Sequence, residues 1–151
     1  MGVTMIDDFK NEHGFLSNFY VSPFTIMDIE VQTSENLYQA LKTKRDVERI
    51  NVLKAETPGK AKRMGRNITL RDGWDDLKVI IMKFCIDIKF KDMKLMKMLI
   101  DTYPNELVEG NYWHDNYWGN CKCKKCVDIE GINMLGCILM KKRDEIMKIN
   151  R

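Results

Sequence analysis

Three carboxylates, four cations and two indoles stand where they could serve chemistry in this 151-residue chain. Glu35, Asp115 and Glu109 could each activate water, move a proton or stabilise a developing cation. Each also has a plainer employment. Glu35 falls in the first turn of a predicted helix, where it would complement the helix dipole by about 0.3–1 kcal/mol. Asp115 could hold its loop through Asx-turn hydrogen bonds, and Glu109 could be a solvated charge. Lys42, Lys44, Lys62 and Arg66 could meet a phosphate or pyrophosphate together with helix N-terminal amides; taken singly, each could equally be solvated. Lys42 lies seven residues beyond Glu35, so one helix face could carry both. Trp74 and Trp118 offer flat faces, on which a purine- or pyrimidine-like ring stacks for roughly 1–3 kcal/mol. Core packing competes for Trp74, which heads an amphipathic stripe, whereas Trp118 has no such stripe.

The five cysteines are Cys85, Cys121, Cys123, Cys126 and Cys137, an odd number with no secretory signal ahead of them. That usage points to reduced thiols in a reducing compartment. Cys123-x-x-Cys126 has ligand-like spacing, and His114 could supply a further donor to a tetrahedral zinc. The usual second pair is missing, however. The neighbouring lysines would also depress the thiol pKa, which makes a redox-sensitive loop an equal reading.

Elements must position these groups. Phe24 to Val31 alternates roughly by two after Pro23, predicting a short hairpin or edge-type sheet. From Ser34 the period changes. Leu37, Tyr38, Leu41 and Arg45 recur at helical spacing, with Thr33 or Ser34 placed to cap. A segment with Val47, Ile50 and Leu53 follows and breaks at Thr57-Pro58-Gly59. There, an N-cap followed by proline at the first helical position predicts a short helix through Met64, stopping near Gly65. After Gly73, the spacing of Trp74, Leu77, Ile81, Phe84 and Ile88 predicts a long amphipathic helix with Asp75 and Asp76 at its positive end. Leu95, Met98 and Leu99 predict a helix ending before Pro104. A last helix is expected over 133–147, burying Leu135, Ile138, Leu139 and Ile146. The stretch 105–131 is polar and aromatic, the character of a loop that a scaffold aims. The expected fold class is α+β, a predominantly helical single domain over 1–151 with a small antiparallel sheet.

Composition bounds the function. Apolar residues make up 44% and charged residues 31%, as in folded globular chains. A net charge of +3 gives no strong basic excess for wrapping duplex DNA. The densest apolar run, Val79 to Met82, falls far short of the ~20 residues of a membrane span. We therefore expect a soluble cytoplasmic protein without a membrane partner. The eleven methionines mostly accompany Leu and Ile at helical spacing and are read as adaptable core packing.

Five strings occur in order: Phe15-Leu16-Ser17-Asn18-Phe19-Tyr20, Thr33-Ser34-Glu35-Asn36-Leu37-Tyr38-Gln39-Ala40, Ala61-Lys62-Arg63-Met64-Gly65-Arg66, Asp115-Asn116-Tyr117-Trp118-Gly119 and Gly131-Ile132-Asn133-Met134-Leu135-Gly136. With Trp74 between the third and fourth, they resemble the NADAR family from about Phe15 to Glu145. Its members include N-glycosidases that hydrolyse phosphoribosyl intermediates of riboflavin biosynthesis. The cysteine-rich loop departs from the family pattern, in which this loop is often glycine-rich.

The resemblance implies hydrolysis of a C–N bond between ribose and a base or amine. Positive charge then develops at the anomeric carbon and electron density moves to the leaving nitrogen. A two-carboxylate logic like that of glycoside hydrolysis is a useful analogy. The family motif places its active-site glutamate at Glu35. Asp115 is then expected to orient groups or shuttle a proton, and Lys42 to assist near the leaving group. Trp74 and Trp118 would enclose base or sugar, Lys62 and Arg66 would hold phosphate, and Asn18 and Asn133 would fix ribose hydroxyls or loop backbone. Water is the cosubstrate, and no metal or cofactor enters this mechanism. The expected substrate is a phosphorylated N-riboside. Two alternatives differ in kind: hydrolysis of ADP-ribosylated guanine in modified nucleic acid, and a module that binds ADP-ribose or NAD without cleaving it.

Overall fold

A computed structural model of the chain describes residues 4–149. In chain order the elements are β1 (Met5–Ile6), a 3-10 turn (Asn11–Leu16), β2 (Phe24–Ile26), β3 (Ile29–Val31), α1 (Ser34–Ala40), α2 (Asp46–Leu53), α3 (Pro58–Gly65), α4 (Trp74–Lys89), α5 (Met93–Ile100), β4 (Glu106–Leu107), β5 (Gly110–Asn111), β6 (Asn120–Cys121), a second 3-10 turn (Lys124–Cys126) and α6 (Met134–Ile149). The fold is α+β and mainly helical, as expected. It forms two compact units: Asn18–Lys89, and the chain up to Ser17 together with everything from Phe90 onward.

In the unit Asn18–Lys89, β2 and β3 make the expected hairpin, with Phe24 opposite Val31. Met27 and Asp28 turn it with φ of 52° and 61°. Two successive positive φ values give the type I′ geometry whose twist suits a two-residue hairpin. Helix α1 packs against α2, α3 and α4. Thr33 caps it by accepting from the Asn36 amide, and all seven of its residues are buried. The helix ends at Ala40 instead of continuing toward Arg45. Its last turn tightens, with the Lys42 amide donating to the Gln39 carbonyl and that of Thr43 to Ala40. Thr57 caps α3 through the Lys60 amide, and Pro58 opens the helix as predicted.

Two apolar faces differ from expectation. Helix α2 buries Val52 and Leu53 and exposes Val47 and Ile50. Helix α4 buries Met82, Cys85, Ile86 and Lys89, while Phe84 is 45% exposed. The run Val79 to Met82 is apolar on every side, so periodicity there does not select a face, and the buried face carries a lysine that an apolar stripe would omit. The methionines fill the core less than expected. Of the described methionines Met82 alone is buried, and Met5, Met27 and Met93 are exposed.

In the other unit, Asp92 caps α5 through the Leu95 amide, α5 packs on α6, and α6 packs on β4. Leu135, Ile138, Leu139 and Ile146 are buried on α6 as expected. Buried Arg143 donates to the Thr102 hydroxyl and the Asn105 carbonyl, each at 2.9 Å. The antiparallel β2–β3 pair is the small sheet that was expected, and this unit adds two parallel pairs that were not. β1 pairs with β4, and β5 with β6, both in parallel. Each of these strands has two residues, too short for any alternation to register in sequence. No helix among the described residues is long and apolar enough to cross a membrane.

Candidate active site

Because α1 is buried throughout, each of its polar side chains must find a partner or cost free energy. Ser34 donates to Asn18 Oδ1 at 2.9 Å. Asn36 donates to the carbonyls of Val52 and Ala55 at 3.3 and 3.0 Å, tying α1 to the end of α2. Glu35 and Gln39, one turn apart, bond each other, Gln39 Nε2 donating to Glu35 Oε1 at 2.8 Å. Gln39 Oε1 is buried with no hydrogen-bond partner among the described residues. α3 approaches so closely here that a Cβ at Gly65 would collide with the Gln39 side chain; glycine is what admits the amide.

Glu35 retains 8% exposure, and its amide donates to the Asn18 carbonyl at 3.1 Å. Lys42 lies in the turn after α1, so the expectation that one helix face carries both groups is corrected. The tightened end of α1 nevertheless leaves them electrostatically coupled. Burial pushes the Lys42 ammonium below the usual lysine range, Glu35 opposes that shift, and Lys62 and Arg66 add to it. Lys42 Nζ stands 5.6 Å from the Tyr38 ring centre and 6.0 Å from that of Trp74. These two rings meet edge to face at 5.5 Å. The Arg71 amide donates to the Lys42 carbonyl at 2.7 Å, fixing the turn.

Glu35, Lys42, Trp74, Lys62 and Arg66 are thus grouped within Asn18–Lys89. Lys62 Nζ lies 5.8 Å from the Phe19 ring centre, Arg66 is exposed as the C-cap of α3, and Lys44 is exposed. The result is an acidic group and a partly desolvated ammonium beside an aromatic pair, with two further cations nearby. Burial, reinforced by the Glu35 charge, raises the Cys85 thiol from α4 well above its usual range, so it stays protonated. Tyr38 and Gln39 were not singled out as site residues in the sequence. Their positions three and four residues after Glu35 were the available signal.

Asn18 has a scaffolding role: besides receiving Ser34, its amide nitrogen donates to Met82 Sδ at 3.3 Å. In the other unit, Asn133 is equally engaged, accepting from the Glu109 amide and donating to the Leu107 carbonyl, each at 2.9 Å. Asn133 thus holds loop backbone, one of the two roles expected, whereas the Asn18 side chain bonds two other side chains. Glu109 Oε2 accepts from Asn111 at 3.1 Å. Asp115 Oδ1 accepts the amides of Tyr117 and Trp118 at 3.1 and 2.9 Å, an Asx-type turn that orients the loop. This engages one oxygen of the carboxylate that was expected to orient groups or shuttle a proton. Trp118 is half-buried and meets Tyr117 edge to face at 4.9 Å.

Comparison with known proteins places these features in context. The NADAR domain model matches residues 6–147. N-glycosidase YbiA of Shigella flexneri is 32% identical over 140 residues, covering 91% of this chain and 84% of that protein. Riboflavin biosynthesis protein VVA0006 of Vibrio vulnificus is 34% identical over 139 residues, which is 90% of this chain and 36% of that longer protein. The NMR structure of the E. coli protein YbiA aligns with a TM-score of 0.83 at 30% identity, covering 99% of this chain and 89% of that one. A family model spanning nearly the whole sequence, relatives alike over nine-tenths of its length and a shared fold establish that the chain belongs to the NADAR family.

Proposed function

We propose that the chain is an N-glycosidase that hydrolyses the C–N bond of a phosphorylated N-riboside, such as a ribosylaminopyrimidine phosphate of riboflavin biosynthesis. One observation carries the reading: a buried glutamate coupled to a partly desolvated lysine, beside an aromatic pair and two further cations. The names of the relatives, N-glycosidase and riboflavin biosynthesis protein, support the same reaction class.

In this mechanism the C1′–N bond breaks with its electron pair going to nitrogen. The Glu35 carboxylate stabilises the cationic sugar and then removes a proton from the attacking water. The Lys42 ammonium, its acidity raised by burial, supplies a proton or a counter-charge to the leaving nitrogen. The products are the free amine or base and ribose phosphate. Gln39 Oε1 offers a buried acceptor to a sugar hydroxyl, and the Tyr38–Trp74 pair offers a wall for sugar or base. Lys62 and Arg66 bind the phosphate as charge-assisted donors. Asp115 acts by positioning its own loop, which carries Trp118. The match over residues 6–147 supports treating the chain as one functional domain, and the five free cysteines suit a reducing cytoplasm.

Incubation with ribosylaminopyrimidine phosphate and, separately, with ADP-ribosyl-guanosine tests the proposal by release of free base and sugar phosphate. Turnover of the first compound is expected. Turnover of the second alone would move the substrate to modified nucleic acid. Retention of ligand without product from either would replace the enzyme with a binding module.

A further inference from the structure

We propose that His114, Cys121, Cys123 and Cys126 form a four-coordinate structural zinc site that fastens the loop between β5 and the start of α6. This goes beyond the hydrolytic reading and does not rest on it. One ligand atom from each residue falls in a cluster whose members all lie within 4.8 Å of one another. His114 Nδ1 is 3.3 Å from Cys123 Sγ and 3.4 Å from Cys126 Sγ. A tetrahedral zinc with bonds of ~2.3 Å to sulfur and ~2.0 Å to nitrogen separates sulfur from nitrogen by roughly 3.5 Å. The side chains therefore stand close to the required spacing, with only small movement needed to admit the ion.

Local structure aims these groups inward. Cys121 ends β6, Cys123 immediately precedes the 3-10 turn and Cys126 ends it. The parallel pairing of β5 with β6 closes the loop that carries His114. His114 adopts φ 67°, a left-handed conformation that is uncommon for a residue with a side chain. Two backbone amides, of His114 and Cys123, donate to Cys121 Sγ at 3.3 and 3.5 Å. Amide donors to sulfur favour the thiolate, the form a metal requires. Cys121's own amide donates to Asn116 Oδ1 at 2.9 Å, and the Gly131 amide donates to Asn120 Oδ1 at 2.7 Å.

Binding would release three thiol protons and leave a centre of net charge −1, three thiolates and a neutral imidazole around a dication. Lys124 and Lys125, both exposed on the 3-10 turn, are placed to balance that charge. Four protein ligands complete the tetrahedron and leave no open position, so the site is structural and takes no part in hydrolysis. The fourth ligand is a histidine upstream of β6, which is why one Cys-x-x-Cys pair suffices.

The test is metal content of the full-length protein, prepared with reductant and zinc and then freed of loose metal by gel filtration. About one zinc per chain is expected in the parent and in Cys137→Ser, which alters an exposed cysteine outside the cluster; loss is expected in Cys121→Ser and Cys126→Ser. Should those variants fail to fold, cobalt(II) titrated into the stripped parent decides the question. Intense tetrahedral bands with thiolate charge transfer support the site, whereas a weak octahedral spectrum overturns it. A parent without zinc whose thiol count is two short also overturns it, in favour of a disulfide-forming loop.

Discussion

Replacing Glu35 with Gln isolates the charge from the shape. The amide is nearly isosteric with the carboxylate and still accepts the 2.8 Å bond from Gln39 Nε2, so folding and Tm should change little. A carboxylate acting as general base and charge stabiliser contributes ~10²–10⁴ in rate, or roughly 3–5 kcal/mol of the barrier. Turnover of ribosylaminopyrimidine phosphate should fall by at least ~10²-fold, with the loss in kcat rather than KM. The variant makes a second, independent demand. Burial lowers the Lys42 pKa and the Glu35 charge raises it. If the protonated lysine is the required form, activity declines at high pH with a midpoint below the usual lysine value. Removing the carboxylate should move that midpoint to lower pH still. Steady-state kcat and KM across neutral to alkaline pH, for parent and variant, measure both effects. Near-normal kcat in Glu35→Gln would remove the glutamate from the central role. An alkaline limb at the same pH in both proteins would refute the coupling to Lys42.

Lys62→Ala and Arg66→Ala should each lower kcat/KM for the phosphorylated substrate by about tenfold or more, the worth of a charge-assisted hydrogen bond, and leave hydrolysis of the dephosphorylated riboside unchanged; equal losses on both substrates would argue against phosphate binding. Asp115→Asn keeps an oxygen for the Tyr117 and Trp118 amides and should retain activity within a few-fold, whereas Asp115→Ala should lower Tm by the equivalent of about 1 kcal/mol; a ~10²-fold loss in the asparagine variant would restore the carboxylate to proton transfer. Burial depresses the Lys89 ammonium to about 7, so between that pH and the unfolded lysine value near 10.5 the unfolded chain binds more protons. The contribution of Lys89 to stability therefore rises with pH across that window, by up to ~1.4 kcal/mol per unit, and is lost as pH falls toward 7. Lys89→Met should raise stability at pH 7 and flatten this slope in denaturant titrations, and parallel slopes in the two proteins would contradict the assignment.

What the sequence disclosed follows from which physical signals are local. Thr33, Thr57 and Pro58 act within one turn, and both predicted helix starts are where these residues place them. The hairpin was equally local. The parallel pairs β1–β4 and β5–β6 span only two positions each, a length at which side-chain alternation carries no information. The face of α4 was misread because Cys85 and Lys89 lie on its buried side and an apolar stripe counts neither.

The candidate site divides along the same line. Glu35 could be named through the family motif, and Lys42, Lys62, Arg66 and Trp74 because a charge or an indole is conspicuous by type. Tyr38 and Gln39 passed as ordinary helix residues, because an amphipathic pattern assumes that one face meets water. Helix α1 has no such face. All seven of its residues are buried, so the spacing that revealed the helix does not tell one face from another, and every polar side chain must be explained by its bonds. Ser34 and Asn36 spend theirs on Asn18, Val52 and Ala55. Glu35 and Gln39 bond each other and leave a buried amide oxygen unpaired. Under the proposed function, a sugar hydroxyl would bring the donor that the Gln39 oxygen lacks.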